Sequence, residues 1–401
     1  MKIDKLPVRT WEKLNVNETT ITDVTVSACE YSQELPVGVG HYSLHNSNER
    51  ADGTKGITSS GQSADINAGT DIFADIRTGL GDEFDDALDK NAIPVNIYKI
   101  TSGIDNKKPV YQDFEVAGDG GANVLYFDVA DGSSCTVIQF ITSKVDITTS
   151  RASDAPAKSV DITTSRASDA PAESVDITTK YALQNKYHIG KGASLTLIQV
   201  QNLSPDTELY NDCGGVCEDG ASFHRIQLIL GGGVTYTGDF CALLGSKSIY
   251  TCDIGYRLTG THTLDMNYIA DHNGRSSESR IKVSGVMENE AEKVFRGTID
   301  FHRGCAGSKG SELEEVLLLD DTIVNKTVPL ILCDEEDVEG SHGATIGQLD
   351  ENLLFYLKSR GIEEDEIYSM MTRARIDAVA GLIEDESARK RVDTIIGKTA
   401  G

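Results

Sequence analysis

Between about Val110 and Val338 the chain is written in short runs of alternating apolar and polar residues, broken by Gly, Asn, Asp and Ser. This texture limits the fold more than any other feature. Examples are Asn123 to Asp128 (NVLYFD), Cys135 to Thr142 (CTVIQFIT), Ser194 to Gln201 (SLTLIQVQ), Phe223 to Leu230 (FHRIQLIL), Thr261 to Tyr268 (THTLDMNY), Phe295 to Phe301 (FRGTIDF), Glu315 to Leu319 (EVLLL) and Val328 to Leu332 (VPLIL). Ile226, Leu228 and Leu230 fall on one side of a strand, as do Leu264, Met266 and Tyr268, and Phe295, Ile299 and Phe301, which is the period of two that a pleated strand imposes. A Gly-Ala or Gly-Ser step recurs before the next run, at Gly132-Ser133, Gly192-Ala193 and Gly220-Ala221. Many short strands without a strong intervening helix fit a β-solenoid, in which each rung buries its face against the next; a β-sandwich is the rival. Periodicity alone does not separate the two.

The flanks read differently. Ile66, Ile72, Phe73, Ile76, Leu80, Phe84 and Leu88 fit one or two helices interrupted at Gly81, so residues 1–109 are expected to form a small α/β cap. Residues 110–345 form the β core, and 346–401 return to helical periodicity, with one stripe of Ile367, Met370, Met371, Ala374, Ala378 and Leu382 and another of Val392, Ile395 and Ile396. These helices are expected to pack on each other and on the end of the solenoid. Within the core, VDITTSRASDAPA occurs at 145–157 and again at 160–172, with VDITT once more from Val175. The small, polar RASDAPA segments with Pro156 and Pro171 make this tandem repeat (145–179) an exposed insertion at one corner in preference to a set of rungs.

Composition excludes several functions. Among 401 residues, 63 are acidic and 37 basic, a formal charge of −26 that opposes unspecific binding to nucleic-acid phosphates or anionic membranes. No apolar run approaches the roughly 20 residues of a transmembrane helix, and MKIDKLPVRTW lacks the apolar core of a secretory signal, so the chain is expected in the cytoplasm. Its eight widely spaced cysteines then read as reduced thiols. The segment GKGAS at Gly190 is not a phosphate-binding GxxxxGK[ST] loop, so no nucleotide is expected on this chain. No GxSxG, HExxH or paired-carboxylate motif stands out, and the chain is not read as an enzyme. Cys213 and Cys217, spaced CxxxC in what reads as a Gly-rich loop (CGGVC), are a weak metal or thiol pair without a second pair nearby.

The most specific stretch is Asp337 to Ile362, DVEGSHGATIGQLDENLLFYLKSRGI. Asp350 can cap a helix whose first turn carries Glu351, Leu353, Leu354 and Leu357 share a face, and Gly361 supplies the residue that ends it. The Ser-His-Gly-Ala-Thr turn from Ser341 to Thr345, followed by Gly347, Leu349, Asp350 and Leu354 to Ile362, resembles the C-terminal signature of the SufB/SufD family, scaffold subunits of SUF-type iron–sulfur cluster assembly. Val294 to Cys305 (VFRGTIDFHRGC) and Leu317 to Pro329 (LLLDDTIVNKTVP) extend the resemblance, which covers about Leu195 to Met371.

The resemblance implies a mainly β fold, a right-handed parallel β-helix with a small N-terminal α/β region and a C-terminal helical domain. It implies a transient iron–sulfur cluster and a SufC-type ABC ATPase as partner, docked on helices bearing Leu353, Phe355, Tyr356, Arg360, Ile367 and Met370. The chain would be SufD-like at His342, pairing with a SufB-like subunit, or the single scaffold of a minimal SufBC-like system, pairing with itself. In the SufD-like branch the histidine corresponding to His342 is a cluster ligand at the interface between two scaffolds; the bland alternative is a histidine that only caps a turn. The chain departs from the family where Gly340 replaces the cysteine that often precedes Ser-His-Gly, where Glu314 stands at the SufB-like assembly cysteine, and near Ile141, where another SufB-like cysteine is missing. Glu314, Cys305 and Cys333 are the remaining cluster candidates: Cys305 in a Gly-rich loop, and Cys333 at a strand end, where a buried apolar role is the commoner one. A metal-free, partner-binding solenoid subunit of the same complex is the alternative, and a β-helix polysaccharide-active enzyme a third reading that lacks a groove signature.

Overall fold

The structure, a computed structural model, describes residues 1–10, 15–22, 24–44, 56–58, 63–64, 73, 75–101, 108–118, 120–144 and 175–397. Trp11, Ile66, Ile72 and both full copies of the repeat lie outside them. The N-terminal part places β1 (Lys2–Ile3), β2 (Thr19–Thr20), β3 (Ser32–Glu34), β4 (Val39–Leu44), β5 (Gly56–Thr58) and β6 (Ser63–Ala64) ahead of helix α1 (Asp82–Lys90). Helix α1 starts at Gly81, whose φ of +92° favours glycine, and it buries Phe84 and Leu88, as the sequence predicts.

The body is a parallel β-solenoid. Its strands are β7 (Val95–Ile100), β8 (Val110–Val116), β9 (Gly121–Val129), β10 (Ser134–Ser143), β11 (Thr179–Ile189), β12 (Ser194–Asn202), β13 (Thr207–Cys217), β14 (Ser222–Ile229), β15 (Val234–Leu243), β16 (Ile249–Leu258), β17 (Thr263–His272), β18 (Glu278–Met287), β19 (Glu292–Phe301), β20 (Ser308–Leu318), β21 (Val324–Cys333) and β22 (Val338–Gly347). From β7 on, odd and even strands alternate between two sheets, each pairing in parallel with the strand two further along, and β21 and β22 end the two sheets. The Gly-Ala and Gly-Ser steps are the corners. Gly132, Gly192 and Gly220 take φ near +65°, and each donates its N–H to the next corner's backbone, as from Gly192 to Asp219 at 2.8 Å.

Leu264, Met266, Tyr268 and Phe295 belong to the large apolar core between the sheets. Ile226, Leu228 and Leu230 point the other way, outward, because that face is covered too. Buried amides line the interior: Gln112, Gln139 and Gln199 stand in register, Gln139 Nε2 donating to Gln112 Oε1 and Gln199 Nε2 to Gln139 Oε1, each at 2.8 Å. Such a ladder satisfies polar groups that would otherwise be costly to bury, and so fixes the register of the rungs.

The C-terminal helices are α2 (Glu351–Ser359), α3 (Glu364–Ala380) and α4 (Glu386–Ile395). Helices α3 and α4 lie along the flank of the solenoid, not on its end as the sequence suggested. Ile376, Val379, Ala380, Ala388 and Val392 pack on Ile138, Phe140, Ile198, Val200, Ile226 and Leu228 of the even sheet. The reason is the apolar outer face of β10, β12 and β14, which needs a cover; Arg391 reinforces the contact by lying 3.8 Å over the Phe140 ring and pairing with Asp113. No described helix is long and apolar enough to cross a membrane.

Most paired strands are 26 to 32 positions apart in sequence, as between Glu208 and Val234 and between Glu292 and Val324. Ser134 and Ser194 are 60 apart, as are Tyr181 and Gly121, yet the pairs β10/β12 and β9/β11 are directly bonded. The ladder is continuous across residues 145–174, and removing those 30 residues restores the ordinary offset. Deleting them is expected to leave thermal stability unchanged or raise it by up to about 2 kcal/mol, the loop-closure saving. A fall in melting temperature would show that the repeat contributes rungs.

Candidate functional site

The solenoid ends at an open rung. The outer edges of β21 and β22 pair with no strand among the described residues. Val324, Ile331 and Ile346 on this rung are exposed apolar side chains, as is Leu313 one rung below. A free strand edge with apolar side chains is a template for pairing with another chain.

His342 is placed in the middle of β22, not in a turn, so the bland capping role is not what its backbone does. In parallel register it stands over Glu312, and Ala344 over Glu314. Glu312 and Glu314 are buried, and alternation puts His342 on the same, interior face. Gly340 confirms the direction, since a Cβ there would meet Phe301 and Ile331. The exposed imidazole of His342 therefore sits at the mouth of the interior, where its ring nitrogen can bind a metal when neutral.

Beneath it is an ionic floor. Lys293 on β19 pairs with Glu314, both fully buried, and Thr327 Oγ1 on β21 donates to the other carboxylate oxygen at 2.7 Å. Burial holds the Lys293 ammonium below its usual range, with the Glu314 charge opposing that shift. Both oxygens of Glu314 are thus engaged within the chain, so Glu314 is a structural anchor here and not an open oxygen ligand. Burial, and then the Glu314 charge, push Glu312 up to about 8, with Lys293 pulling the other way. A Cβ at Gly297 would lie 2.1 Å from Glu312 Oε2, so a glycine leaves the carboxylate its place.

The raised Glu312 carries a pH signature. Its folded value near 8 exceeds the ordinary 4.5, so the folded chain holds the proton more tightly and stability from this group falls as pH rises between those values. Glu312→Gln is therefore expected to raise the melting temperature at pH 8.5 and to confer no gain at pH 4, read by calorimetry across that range.

The thiols sort by position. Cys333 ends β21 in register with the interior-facing Phe301 and is exposed, its Sγ donating to the Glu335 carbonyl at 3.0 Å; it does not take the buried apolar role, because no described strand pairs above β21. Cys305 is instead fully shielded against Ile299 and Phe301, and burial raises its thiol. Cys213 and Cys217 are not in a loop. They lie on β13, four residues apart on one face, both inside the core, and Cys217 Sγ is 3.8 Å from Cys241 Sγ; burial holds the Cys213 thiol well above its ordinary range, which disfavours a metal-binding thiolate. Cys333 is the exposed thiol among the described residues.

The helix after the open rung behaves as an unpartnered surface. Asp350 Oδ1 caps α2 by accepting from Leu353 N at 2.9 Å, yet α2 buries no residue. Phe355 is 75% and Tyr356 52% exposed, with Leu353 and Met370 also exposed and Arg360 stacked 5.1 Å over the Tyr356 ring. Ile367 is fully buried on the inner side of α3 and so belongs to the core, not to a docking face. Lys293, Glu312 and Thr327 were missed by reading the sequence, although SELEEV carries two glutamates at strand spacing.

The family model for the SufBD core domain of SUF-system FeS cluster assembly matches residues 180–375. The iron–sulfur cluster assembly protein SufD of Bacillus subtilis is 27% identical over 210 residues, 52% of this chain and 48% of that protein. The Escherichia coli SufD is 26% identical over 183 residues (46% and 43%), and the B. subtilis SufB 26% over 163 residues (40% and 35%). The chain spans about half or less of the length of these curated relatives. Because the family match runs from the start of β11 through the open rung and α2 into α3, the part of the molecule just described is also the part held in common, and the chain belongs to the SufB/SufD family of iron–sulfur cluster assembly proteins.

Proposed function

We propose that this chain is a scaffold subunit on which iron–sulfur clusters are assembled, that it dimerises through its open last rung, and that a SufC-type ABC ATPase docks on α2. One observation carries the reading: the last rung turns His342 and Cys333, an imidazole and a thiol, toward the interior while neither of its outer strand edges is paired among the described residues. A protein-bound cluster commonly takes about four ligands. This rung offers two, so a second scaffold, either another copy or a SufB-like subunit, supplies the rest across the paired edges. The cluster is cargo, passed on once built.

The ATPase acts from a distance. Leu349, Tyr368 and Met371 pack against Val286, Leu317 and Leu319, so a pull on α2 and α3 reaches β18 and β20, the latter bonded directly to β22. Closure of the ATPase on ATP shifts the rung and alters access to its ligands. ATP hydrolysis belongs to the partner; this chain makes and breaks no bonds by acid–base chemistry.

Anaerobic co-purification with the SufC-type ATPase, read by size-exclusion mass, tests the assembly. Two ATPases with two copies of this chain support the minimal system, whereas a complex that forms only with a SufB-like third chain makes this the SufD-type member of a heterodimer. No complex under either condition would sink the proposal and leave a metal-free solenoid. Phe355→Asp is expected to weaken ATPase capture by at least roughly tenfold, as for an exposed aromatic hot spot, with the melting temperature unchanged.

A further inference from the structure

One group of side chains has no part in the last rung. Asp271 and Asp300 are register partners on β17 and β19, next to interior-facing His272 and Phe301, and so point outward together; His302 follows β19 directly. His302 Nε2 lies 2.7 Å from Asp271 Oδ1 and 3.6 Å from Asp300 Oδ2. One ligand atom from each of the three falls within 4.8 Å of the others, and all three residues are half-buried. Ligands bound at roughly 2.0–2.2 Å to a shared ion stand about 3–3.5 Å from one another, a spacing that the 2.7 and 3.6 Å separations bracket and that a small side-chain shift reaches.

The convergence sets this group apart from the other histidine–carboxylate contacts. His188 reaches Asp128 through Nδ1 and Glu218 through Nε2, so its two carboxylates lie on opposite sides of the ring. His224 meets Asp253, but Arg280 already neutralises that carboxylate with two bonds of 2.8 Å. At His302 a single nitrogen faces both carboxylates. Asp334 is exposed, and its backbone N–H is bonded to the Phe301 carbonyl at 2.8 Å, which ties a third carboxylate to the same corner.

We propose that Asp271, Asp300 and His302 form a surface site for one divalent first-row transition ion, such as Mn2+ or Fe2+, separate from the cluster ligands of the last rung. One imidazole and two carboxylates suit such an ion, and three protein ligands leave positions for water. Calcium, which takes six to eight oxygens, is poorly served. The site holds an ion without any contribution from a second scaffold.

The test is Mn2+ titration of the chelator-stripped, full-length chain, followed by the loss of the free-ion EPR signal. One equivalent is expected to bind, with Asp300→Asn and His302→Gln each weakening it by at least roughly tenfold, as befits lost metal contacts, while circular dichroism stays unchanged. His342→Ala is expected to bind Mn2+ as the parent does, whatever becomes of cluster assembly. No binding at millimolar Mn2+, or binding unchanged in both site variants, overturns the proposal.

Discussion

Glu314→Ala is expected to destabilise the chain by about 3–5 kcal/mol, the cost of leaving one member of a buried ion pair alone. Glu314 and Lys293 are both without solvent exposure, and the carboxylate is held at one oxygen by Lys293 and at the other by Thr327. Removing the carboxylate strands the Lys293 ammonium one rung below the end of the solenoid. The double variant Lys293→Met with Glu314→Leu is expected to recover most of the loss, because two packed apolar chains replace two charges that were expensive to desolvate. Urea unfolding of the three proteins measures both effects. A Glu314→Ala chain as stable as the parent, but unable to take up iron, would return this residue to the list of cluster ligands.

His342→Ala has the opposite profile. His342 is exposed on an edge strand, and a surface substitution of this kind changes stability by no more than about 0.5 kcal/mol. Its imidazole is nevertheless a nitrogen donor that the register places at the mouth of the interior, above Glu312, while Cys333 ends the facing strand of the other sheet. In the proposed assembly its loss removes one of only two ligands that this subunit contributes, so cluster yield on the anaerobically reconstituted complex is expected to fall by at least roughly tenfold, in line with the loss of a metal contact. ATPase capture is expected to persist, since α2 presents Phe355 and Tyr356 on a separate element.

Much of this was legible in the sequence. The period of two marked strands such as β14, β17 and β19, and the glycine steps marked corners because a left-handed backbone needs them. The local helix signals at Asp350 and Gly361 gave α2, whereas both full copies of the tandem repeat lie outside the described residues. Other features depend on what lies beside a residue, which spacing does not encode. CGGVC reads as a loop because glycine weakens strands, yet Gly214 and Gly215 sit in β13, where Cβ atoms would meet Arg77 and Tyr187. The Ser-His-Gly segment reads as a turn for the same reason and is a strand because β20 templates it. The outward face of Ile226, Leu228 and Leu230 is apolar because α3 and α4 cover it, so one stripe of residues fixed a strand but not which side was interior. The Lys293–Glu314 pair joins residues 21 positions apart on different sheets, and only the rung geometry brings them together.

The claim that the open rung is where a cluster is built is tested most directly by iron and acid-labile sulfide per scaffold dimer after anaerobic reconstitution with the ATPase. The predicted result is a bound cluster with its sulfide-to-iron absorbance in the parent complex, missing from His342→Ala. A parent complex that takes up neither iron nor sulfide, or a His342→Ala complex that holds as much of both, would contradict it.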